Sequence, residues 1–374
     1  MMTVCVASRS ALVALTCLTL SLTLSAPRAR ADALYSVRDL GVLPGGLHSQ
    51  GMGLNNRGQV LGVSNKPAPW VHPAHSVNVP VVFEPDGTIR EVEVSNPFGR
   101  GRLDLNDSGQ IAEAVEIGVE ASFADINNRG QVVGSARSIA PGEQAPGRWS
   151  QHQAIVVEGS QRTYLGTLGG QGSWKASYAT GINEAGHVVG QSQFADFSSF
   201  RAFLYRDGEM IDLTDRLGGA ESSSALAIND RGQILGSIDS VSHYGNFLLD
   251  GDELKMLGFS ALDLNNEGDV VGFYERAENR SFERRASLFR DGTMLDLTDL
   301  IPPESGWILN DAYAINDLGQ ITGSGTVDGV TRAYLLTPLS DGGPLPDPIP
   351  EPGPIAVFGL AAAYCWFRRA RSGR

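Results

Sequence analysis

The chain has 374 residues with 45 Gly, 6 Met and 19% charged side chains, a composition that suits many tight turns and few helices. Seven of the 29 Lys and Arg lie outside residues 32–354, whereas all 42 Asp and Glu lie within them. That stretch therefore carries 22 basic residues and a formal charge of −20, which argues against nucleic acid as a partner because a phosphate backbone would be repelled.

The first 31 residues have the layout of a secretory signal peptide. Residues 11–25 form an apolar run preceded by Arg9, and Ala29 and Ala31 place small side chains at the −3 and −1 positions of a cleavage site. We expect signal peptidase to cut after Ala31. A permanent membrane anchor is the alternative interpretation. A lipoprotein modified at Cys17 is disfavoured, because Thr16 is larger than the residue that usually precedes a lipidated cysteine.

One pattern, I/L-N-x-x-G-Q-V/I-x-G, recurs along the body of the chain and predicts a β-hairpin at each copy. The Asn side chain can bond the backbone two residues on, and the Gly supplies the positive φ of a tight hairpin turn. The turn residues are Asn55 and Gly58, Asn106 and Gly109, Asn127 and Gly130, Asn183 and Gly186, Asn229 and Gly232, Asn265 and Gly268, and Asn316 and Gly319.

A second kind of segment alternates with these hairpins: an apolar strand, a short turn and another strand. Asp207-Gly208, Asp250-Gly251 and Asp291-Gly292 are strong signals for the turn. Hairpin and strand pair together give four strands, here named a, b, c and d. The strand pairs are 81–94, 154–168, 201–213, 246–257 and 286–297.

Four-stranded units repeated at this spacing predict an all-β fold, a β-propeller spanning residues 32–338. The last unit has a c strand at 333–336 but no d strand after it, and residues 35–40 supply one, closing the ring and removing a free sheet edge. We expect six or seven blades. The Asn106 hairpin is a degenerate blade or an insertion, because only 21 residues separate it from Asn127 and Glu113 replaces its second Gly. An open β-repeat solenoid is the alternative.

The body offers no catalytic constellation, metal site or cofactor motif. Cys5, Cys17 and Cys365 all lie near the ends, so the body has neither a disulfide nor a thiol nucleophile. The six His residues are scattered, and His72 and His75 lack a nearby third ligand for a metal ion.

The C-terminal region has three parts. Residues 339–354 are a proline-rich extended linker. Residues 355–367 are largely apolar; as a helix they would reach about 20 Å, short of the roughly 30 Å hydrocarbon core of a bilayer. A basic cluster of Arg368, Arg369 and Arg371 follows, and would stay on the cytoplasmic side. We expect transient membrane insertion through this helix.

Pro350-Glu351-Pro352, the apolar segment and the Arg cluster together resemble the PEP-CTERM sorting signal of Gram-negative bacteria, over residues 350–374. The resemblance implies cleavage by an exosortase-type membrane protease and export by a species that secretes exopolysaccharide. The hairpins, with Leu-Gly-Thr-Leu-Gly-Gly at 165–170, resemble the HAF repeat of extracellular bacterial proteins over most of residues 35–337. That family implies a location and a repeat rather than an activity.

Topology divides the connections of a propeller into two rims. The a–b and c–d turns form one, which we call the turn rim; the b–c and d–a connections form the other, which we call the loop rim. The loop rim is predicted to be long and variable, at residues 64–80, 135–153, 166–178, 192–200, 273–285 and 301–311. Its aromatic residues suit ligand contact, with plugging of the ends of the core as the alternative. They are Trp70, Trp149, Trp174, Trp307, Phe194, Phe197, Phe200 and Tyr244.

These features predict a secreted, non-enzymatic binding or structural module at the cell surface or in the extracellular matrix, with polysaccharide as the favoured ligand. The alternative is a glycan-active hydrolase or lyase built on a propeller. Clustered carboxylates on the loop rim would favour the enzyme, and aromatic residues without them would favour binding.

Overall fold

The computed structural model describes residues 33–68, 76–94, 104–112, 121–137, 152–169, 176–194, 199–239, 244–278 and 281–339. The predicted cleavage site at Ala31, the linker after Leu339 and the sorting segment from Pro350 to Arg371 lie outside these residues. Within the described part, no helix is long and apolar enough to cross a membrane. The strands are β1 (Tyr35–Asp39), β2 (Ser49–Leu54), β3 (Val60–Pro67), β4 (Ser76–Phe83), β5 (Ile89–Glu91), β6 (Ala121–Ile126), β7 (Gln131–Arg137), β8 (His152–Glu158), β9 (Gln161–Gly166), β10 (Ser177–Ile182), β11 (Val188–Gln193), β12 (Phe200–Arg206), β13 (Glu209–Asp212), β14 (Ser222–Ile228), β15 (Ile234–Asp239), β16 (Tyr244–Asp250), β17 (Glu253–Leu257), β18 (Ser260–Leu264), β19 (Val270–Glu278), β20 (Ser281–Arg290), β21 (Thr293–Asp296), β22 (Ile308–Ile315), β23 (Ile321–Val327) and β24 (Val330–Pro338).

The strands form six four-stranded antiparallel sheets arranged in a ring, a six-bladed β-propeller. Blades 1 to 5 are β2–β5, β6–β9, β10–β13, β14–β17 and β18–β21, and blade 6 is β22–β24 completed by β1. The predicted propeller is confirmed. Two short 3-10 helices, Leu297–Leu300 and Pro303–Ser305, lie in the connection between blades 5 and 6.

The seven Asn residues of the repeat form a closed ring of hydrogen bonds. Each Asn side-chain amide donates to the backbone carbonyl of the next Asn in the series, at 2.9–3.2 Å, and Asn316 returns to Asn55. All seven are buried. A hydrogen-bond circuit that begins and ends on the same residue rules out the open solenoid.

The Asn106 hairpin takes a place in this ring without forming a blade. Residues 104–112 make a single bridge, between Leu105 and Ile111, and lie between blades 1 and 2. Asn106 nevertheless accepts from Asn55 and donates to Asn127 like every other member. The ring therefore has seven hairpins but six blades. Glu113 lies outside the described residues.

A second closed ring of hydrogen bonds lies next to the first on the turn rim. The residue after each Asn donates its backbone N–H to the side-chain oxygen of its counterpart in the next hairpin, at 2.7–2.9 Å. Because all these side chains are Asn, Asp or Glu, each can accept such a bond. The members are Asn56, Asp107, Asn128, Glu184, Asp230, Asn266 and Asp317.

The last Gly of the repeat is explained by a close approach within each blade. Every a strand has a β-bulge near its third-last residue, which brings its backbone against strand b. A Cβ on Gly62 would lie 2.0 Å from the Gln50 carbonyl oxygen, and one on Gly323 would lie 1.8 Å from that of Asp311. No side chain fits there.

Neighbouring blades pack through apolar side chains and through serine hydroxyls at the starts of a strands. Ser177 accepts from the backbone N–H of Ala154 at 2.8 Å and donates to the Gly166 carbonyl at 2.6 Å, both in the preceding blade. Ser49 makes the equivalent bonds to Ala333 and Gly41. Each such serine satisfies buried backbone groups of its neighbour, which fixes the spacing between blades.

Strand β1 closes the ring as predicted. It pairs with β24 from Tyr35 opposite Pro338 to Asp39 opposite Tyr334. Tyr35 is 1% exposed, and its hydroxyl lies 3.2 Å from Arg290, which also pairs with Asp269. The first strand of the body is therefore anchored to blade 5 as well as to blade 6.

We predict that Asn265→Ala lowers the free energy of unfolding by about 2–4 kcal/mol, because it removes the acceptor of the Asp269 and Glu267 backbone N–H groups, the first of which is buried. It also breaks the link to the next hairpin, since the Asn316 carbonyl keeps only the bond from Gly319 in its own turn. Asn266→Ala, in the same turn but more exposed, should cost less than about 1 kcal/mol because water can replace its bonds. Urea unfolding of both variants is the measurement. Equal losses of unfolding free energy in the two variants would contradict the special role of the ring of buried Asn side chains.

We also predict that deleting residues 33–40 lowers the melting temperature sharply and promotes aggregation, because the deletion exposes the edge of β24 and the core around Tyr35. Thermal melting and light scattering measure the two effects. A trimmed chain that begins at residue 33 is the control. Unchanged melting and solubility on deletion would mean that β1 is not needed for closure.

Candidate functional site

The loop rim is the less regular side of the propeller. Its described part includes the ends of the b and d strands and the starts of the a and c strands. Residues 273–285, predicted to be a loop, are mostly the paired strands β19 and β20, because their side chains continue the antiparallel ladder almost to the turn. That expectation was wrong.

Aromatic side chains of blades 2 and 3 meet on the loop rim. The rings of His152 and Tyr178 are nearly parallel with centroids 6.3 Å apart, and Phe200 lies 6.0 Å beyond Tyr178 at a tilt of 51°. All three are half-buried, so each ring is supported on one side and open on another. With Phe194 and Arg201 we call them the aromatic cluster.

Arg201 lies at the loop-rim end of β12 and makes two contacts there. Its guanidinium lies 3.6 Å from the centroid of the Phe194 ring, and Nη1 is 2.9 Å from the carboxylate of Asp212. Burial alone would raise the pKa of Asp212, but hydrogen bonds from Thr214 and Arg201 outweigh it and lower that pKa below its ordinary value. The Asp212 carboxyl is therefore ionised at neutral pH, and its arginine partner lies over the Phe194 ring.

A second group of polar side chains lies where blades 5 and 6 meet. Arg284 lies 3.5 Å above the Phe273 ring, and its Nη1 is 3.1 Å from Asp311 Oδ1, close enough for an ion pair but not directed as a hydrogen bond. The other carboxylate oxygen of Asp311 accepts from the Ser324 hydroxyl at 3.1 Å. These four residues and Tyr313 are the Asp311 cluster.

The Asp311 cluster joins a buried carboxyl to an exposed guanidinium. The side chain of Asp311 is 8% exposed and that of Arg284 is 43% exposed. Burial raises the pKa of the Asp311 carboxyl above its ordinary value, and Arg284 and the hydroxyls of Ser324 and Tyr313 only partly offset this. Burial and the charge of Asp311 likewise raise the pKa of Tyr313.

Strand β22 is bent to place Asp311. It has a second β-bulge, between Leu309 and Asp311, in addition to the one that all a strands share. The other five a strands carry a neutral polar residue at the position of Asp311: Gln50, Ser122, Tyr178, Ser224 and Ser260. Five blades thus form without a carboxyl there, so the fold does not require one.

The predicted ligand contacts divide into three groups. Trp307 is buried and packs edge-on against Tyr334 with ring centroids 6.1 Å apart, so its ring fills the core, which favours the alternative of plugging at this position. Tyr244 begins β16 on the loop rim and is exposed, which leaves its predicted role open. Trp70, Trp149, Trp174 and Phe197 lie outside the described residues.

Five contributors to the two clusters were missed at the level of sequence: His152, Tyr178, Arg201, Arg284 and Asp311. Four of them lie inside the connecting segments predicted for the loop rim, and Arg201 lies one residue beyond such a segment, but the predicted contacts there were limited to Trp, Phe and Tyr244. For Asp311 the sequence did contain an indication, because it is the one acidic residue at its position among the six aligned a strands. Among the described residues, no group of three or more His, Cys, Asp or Glu could hold a metal ion.

No protein-family model matches the chain, and no curated protein matches it. Solved structures that resemble it include the sialidase of Trypanosoma rangeli (8% identity, TM-score 0.34, 78% of this chain and 53% of that one). A prolyl endopeptidase (11% identity, TM-score 0.41, 83% and 51%) and a Bacteroides thetaiotaomicron protein of unknown function (11% identity, TM-score 0.31, 83% and 70%) are also similar. The chain spans about half the length of the sialidase and endopeptidase chains. At these scores the likenesses carry no argument about function.

Proposed function

We propose that this protein is a secreted, non-enzymatic binding module of the cell surface or extracellular matrix, and that its loop rim binds polysaccharide. The observation that carries the proposal is the aromatic cluster. Three half-buried rings from two blades contact one another in series at the loop rim. Such rings can stack on the apolar face of a sugar while their positions stay fixed by the strands beneath them.

Binding accounts for the Asp311 cluster better than glycan hydrolysis does. Glycoside hydrolysis generally needs two carboxyl groups on opposite sides of the scissile bond. Asp311 is paired with a guanidinium and hydroxyls rather than with a second carboxyl. Its raised pKa suits an acid, but none of the groups that contact it in the described residues is a second carboxyl that could act with it. We therefore prefer the binding module to the alternative enzyme.

The positions at which the two ends of the chain leave the propeller support an orientation in which the loop rim points away from a membrane. Tyr35 pairs with Pro338, and Leu339 donates to the Leu34 carbonyl at 2.9 Å, so both ends leave blade 6 together at the turn rim. The signal peptide and the sorting segment would therefore both hold the propeller by that side. During export, signal peptidase and an exosortase-type protease would act there, and the aromatic cluster would face outward.

We predict that the exported protein lacks its C-terminal segment when the host carries the matching sorting machinery. The order of Pro350-Glu351-Pro352, apolar segment and Arg cluster motivates this expectation. Intact-mass analysis of the exported protein checks it, with a variant in which Glu351 is replaced by Ala as the comparison. An exported form that still carries Arg374 would overturn the prediction.

We predict that Tyr178→Ala and Phe200→Ala each weaken polysaccharide binding by about tenfold, because each removes one stacking surface of roughly 1–2 kcal/mol. Native electrophoresis in gels that contain polysaccharide measures the binding, after a glycan array has identified which polymers to use. Tyr205→Ala, in the same blade but near the turn rim, is the matched control. Melting temperatures establish that the variants are folded. Folded variants that bind as the wild type does would remove the aromatic cluster from the site.

A further inference from the structure

Two arginines on the loop rim are built in the same way. Arg201 lies on Phe194 and pairs with Asp212; Arg284 lies on Phe273 and pairs with Asp311. In each case an aromatic ring supports one face of the guanidinium and a carboxylate holds one edge. The first pair belongs to blade 3 and the second joins blades 5 and 6, so the two pairs lie on different sides of the ring.

Duplication of the repeat does not explain the likeness. Arg201 directly precedes Ala202, whose counterpart in blade 5 is Ala286, so the equivalent of Arg201 is Arg285 rather than Arg284. The aromatic partners differ as well: Phe194 follows β11, whereas Phe273 lies within β19. The same construction was therefore assembled twice from different positions.

Stability does not explain the pairs either. An ion pair that is partly open to water adds little to the free energy of folding. Asp311 is also buried at a position where the other blades use a neutral residue. The ring and the carboxylate hold each guanidinium in one orientation. The arginine side chain therefore loses little conformational entropy when it binds a ligand.

Asp212 compensates the charge of Arg201, and Asp311 compensates that of Arg284. This compensation determines which class of ligand the arginines favour. A compensated guanidinium still offers N–H donors to hydroxyl and ring oxygens, but it has little net attraction for an anion. The body of the chain carries −20 and would repel a polyanion. We propose that Arg201 and Arg284 are contact points for an uncharged polysaccharide, with Asp212 and Asp311 as positioning residues. This rests on the proposed function and specifies the class of its ligand.

Electrophoresis of the exported protein in gels that contain galactomannan or mixed-linkage β-glucan, compared with gels that contain alginate or hyaluronate, tests the proposal. We expect the neutral polymers to retard the protein and the acidic ones not to, and retardation to persist at about 0.5 M NaCl, where charge attraction is screened. Retardation by acidic polymers alone, or its loss in salt, would overturn the uncharged ligand but leave polysaccharide binding intact. No retardation by any of the four would overturn the proposed function as well.

Variants then locate the contact. Arg201→Ala and Arg284→Ala should each weaken retardation by neutral polymer by about tenfold. Arg231→Ala is the matched control, since Arg231 forms an exposed pair with Glu267 at 2.6 Å on the turn rim, and it should bind as the wild type does. If either alanine variant fails to fold, the Arg→Lys variant at that position takes its place in the binding measurement. Lysine keeps the positive charge but lacks the planar guanidinium, so it too should bind more weakly. Wild-type binding by the folded variants would overturn the assignment.

Asp311→Asn separates a positioning role from a structural one. A positioning residue predicts weaker binding with a melting temperature that is unchanged or raised at neutral pH, since the variant no longer buries a carboxylate. Because burial raises the pKa of Asp311, this gain should fade in acid, where the wild-type carboxyl is protonated whether the protein is folded or unfolded. A lower melting temperature with unchanged binding would make Asp311 a structural residue and overturn its assigned role.

Discussion

The structure depends on one side chain used seven times. Each repeat Asn accepts hydrogen bonds from its own turn and donates one to the next hairpin, so the bond that shapes the turn also joins neighbouring repeats. Local folding and ring assembly are therefore coupled. A hairpin cannot change its turn without breaking a bond to its neighbour, because the amide oxygen accepts within the turn while the amide nitrogen donates to the next hairpin. Aspartate in its place would accept in the same way but could not donate.

This coupling explains why a hairpin without a blade is tolerated. The Asn106 hairpin contributes one ring position and one turn, yet makes only a single bridge of its own. Its neighbours still find an acceptor and a donor at the expected places. The ring requires turns rather than blades, so the outer strands of a unit can be lost while closure is kept. The same reasoning explains why the turn rim is uniform and the loop rim is free to differ from blade to blade.

The features of the fold that depend on short stretches of sequence were predictable from the sequence. The Asn and Gly turn signals and the missing d strand of the last unit predicted the hairpins, the propeller and its closure by residues 35–40, since each depends on a few adjacent residues. The bonds between hairpins were not predicted, because the donor amide of Asn55 reaches a carbonyl 51 residues away. The burial of Trp307 could not be predicted for a related reason. Its loop folds inward over Gly325, where a Cβ would lie 3.0 Å from the indole, and only the packed structure reveals that space.

The two candidate clusters differ in how they depend on closure. The aromatic cluster comes from blades 2 and 3, whose strands are contiguous in sequence. The Asp311 cluster takes Asp311, Tyr313 and Ser324 from blade 6, and the Tyr334 hydroxyl binds the Asp311 carbonyl at 2.8 Å from the strand that pairs with β1. Blade 6 is the one blade made from both ends of the body. The buried carboxylate and the second bulge beneath it are therefore held in a blade that is complete only after the first strand has met the last, which ties this half of the loop rim to the finished ring.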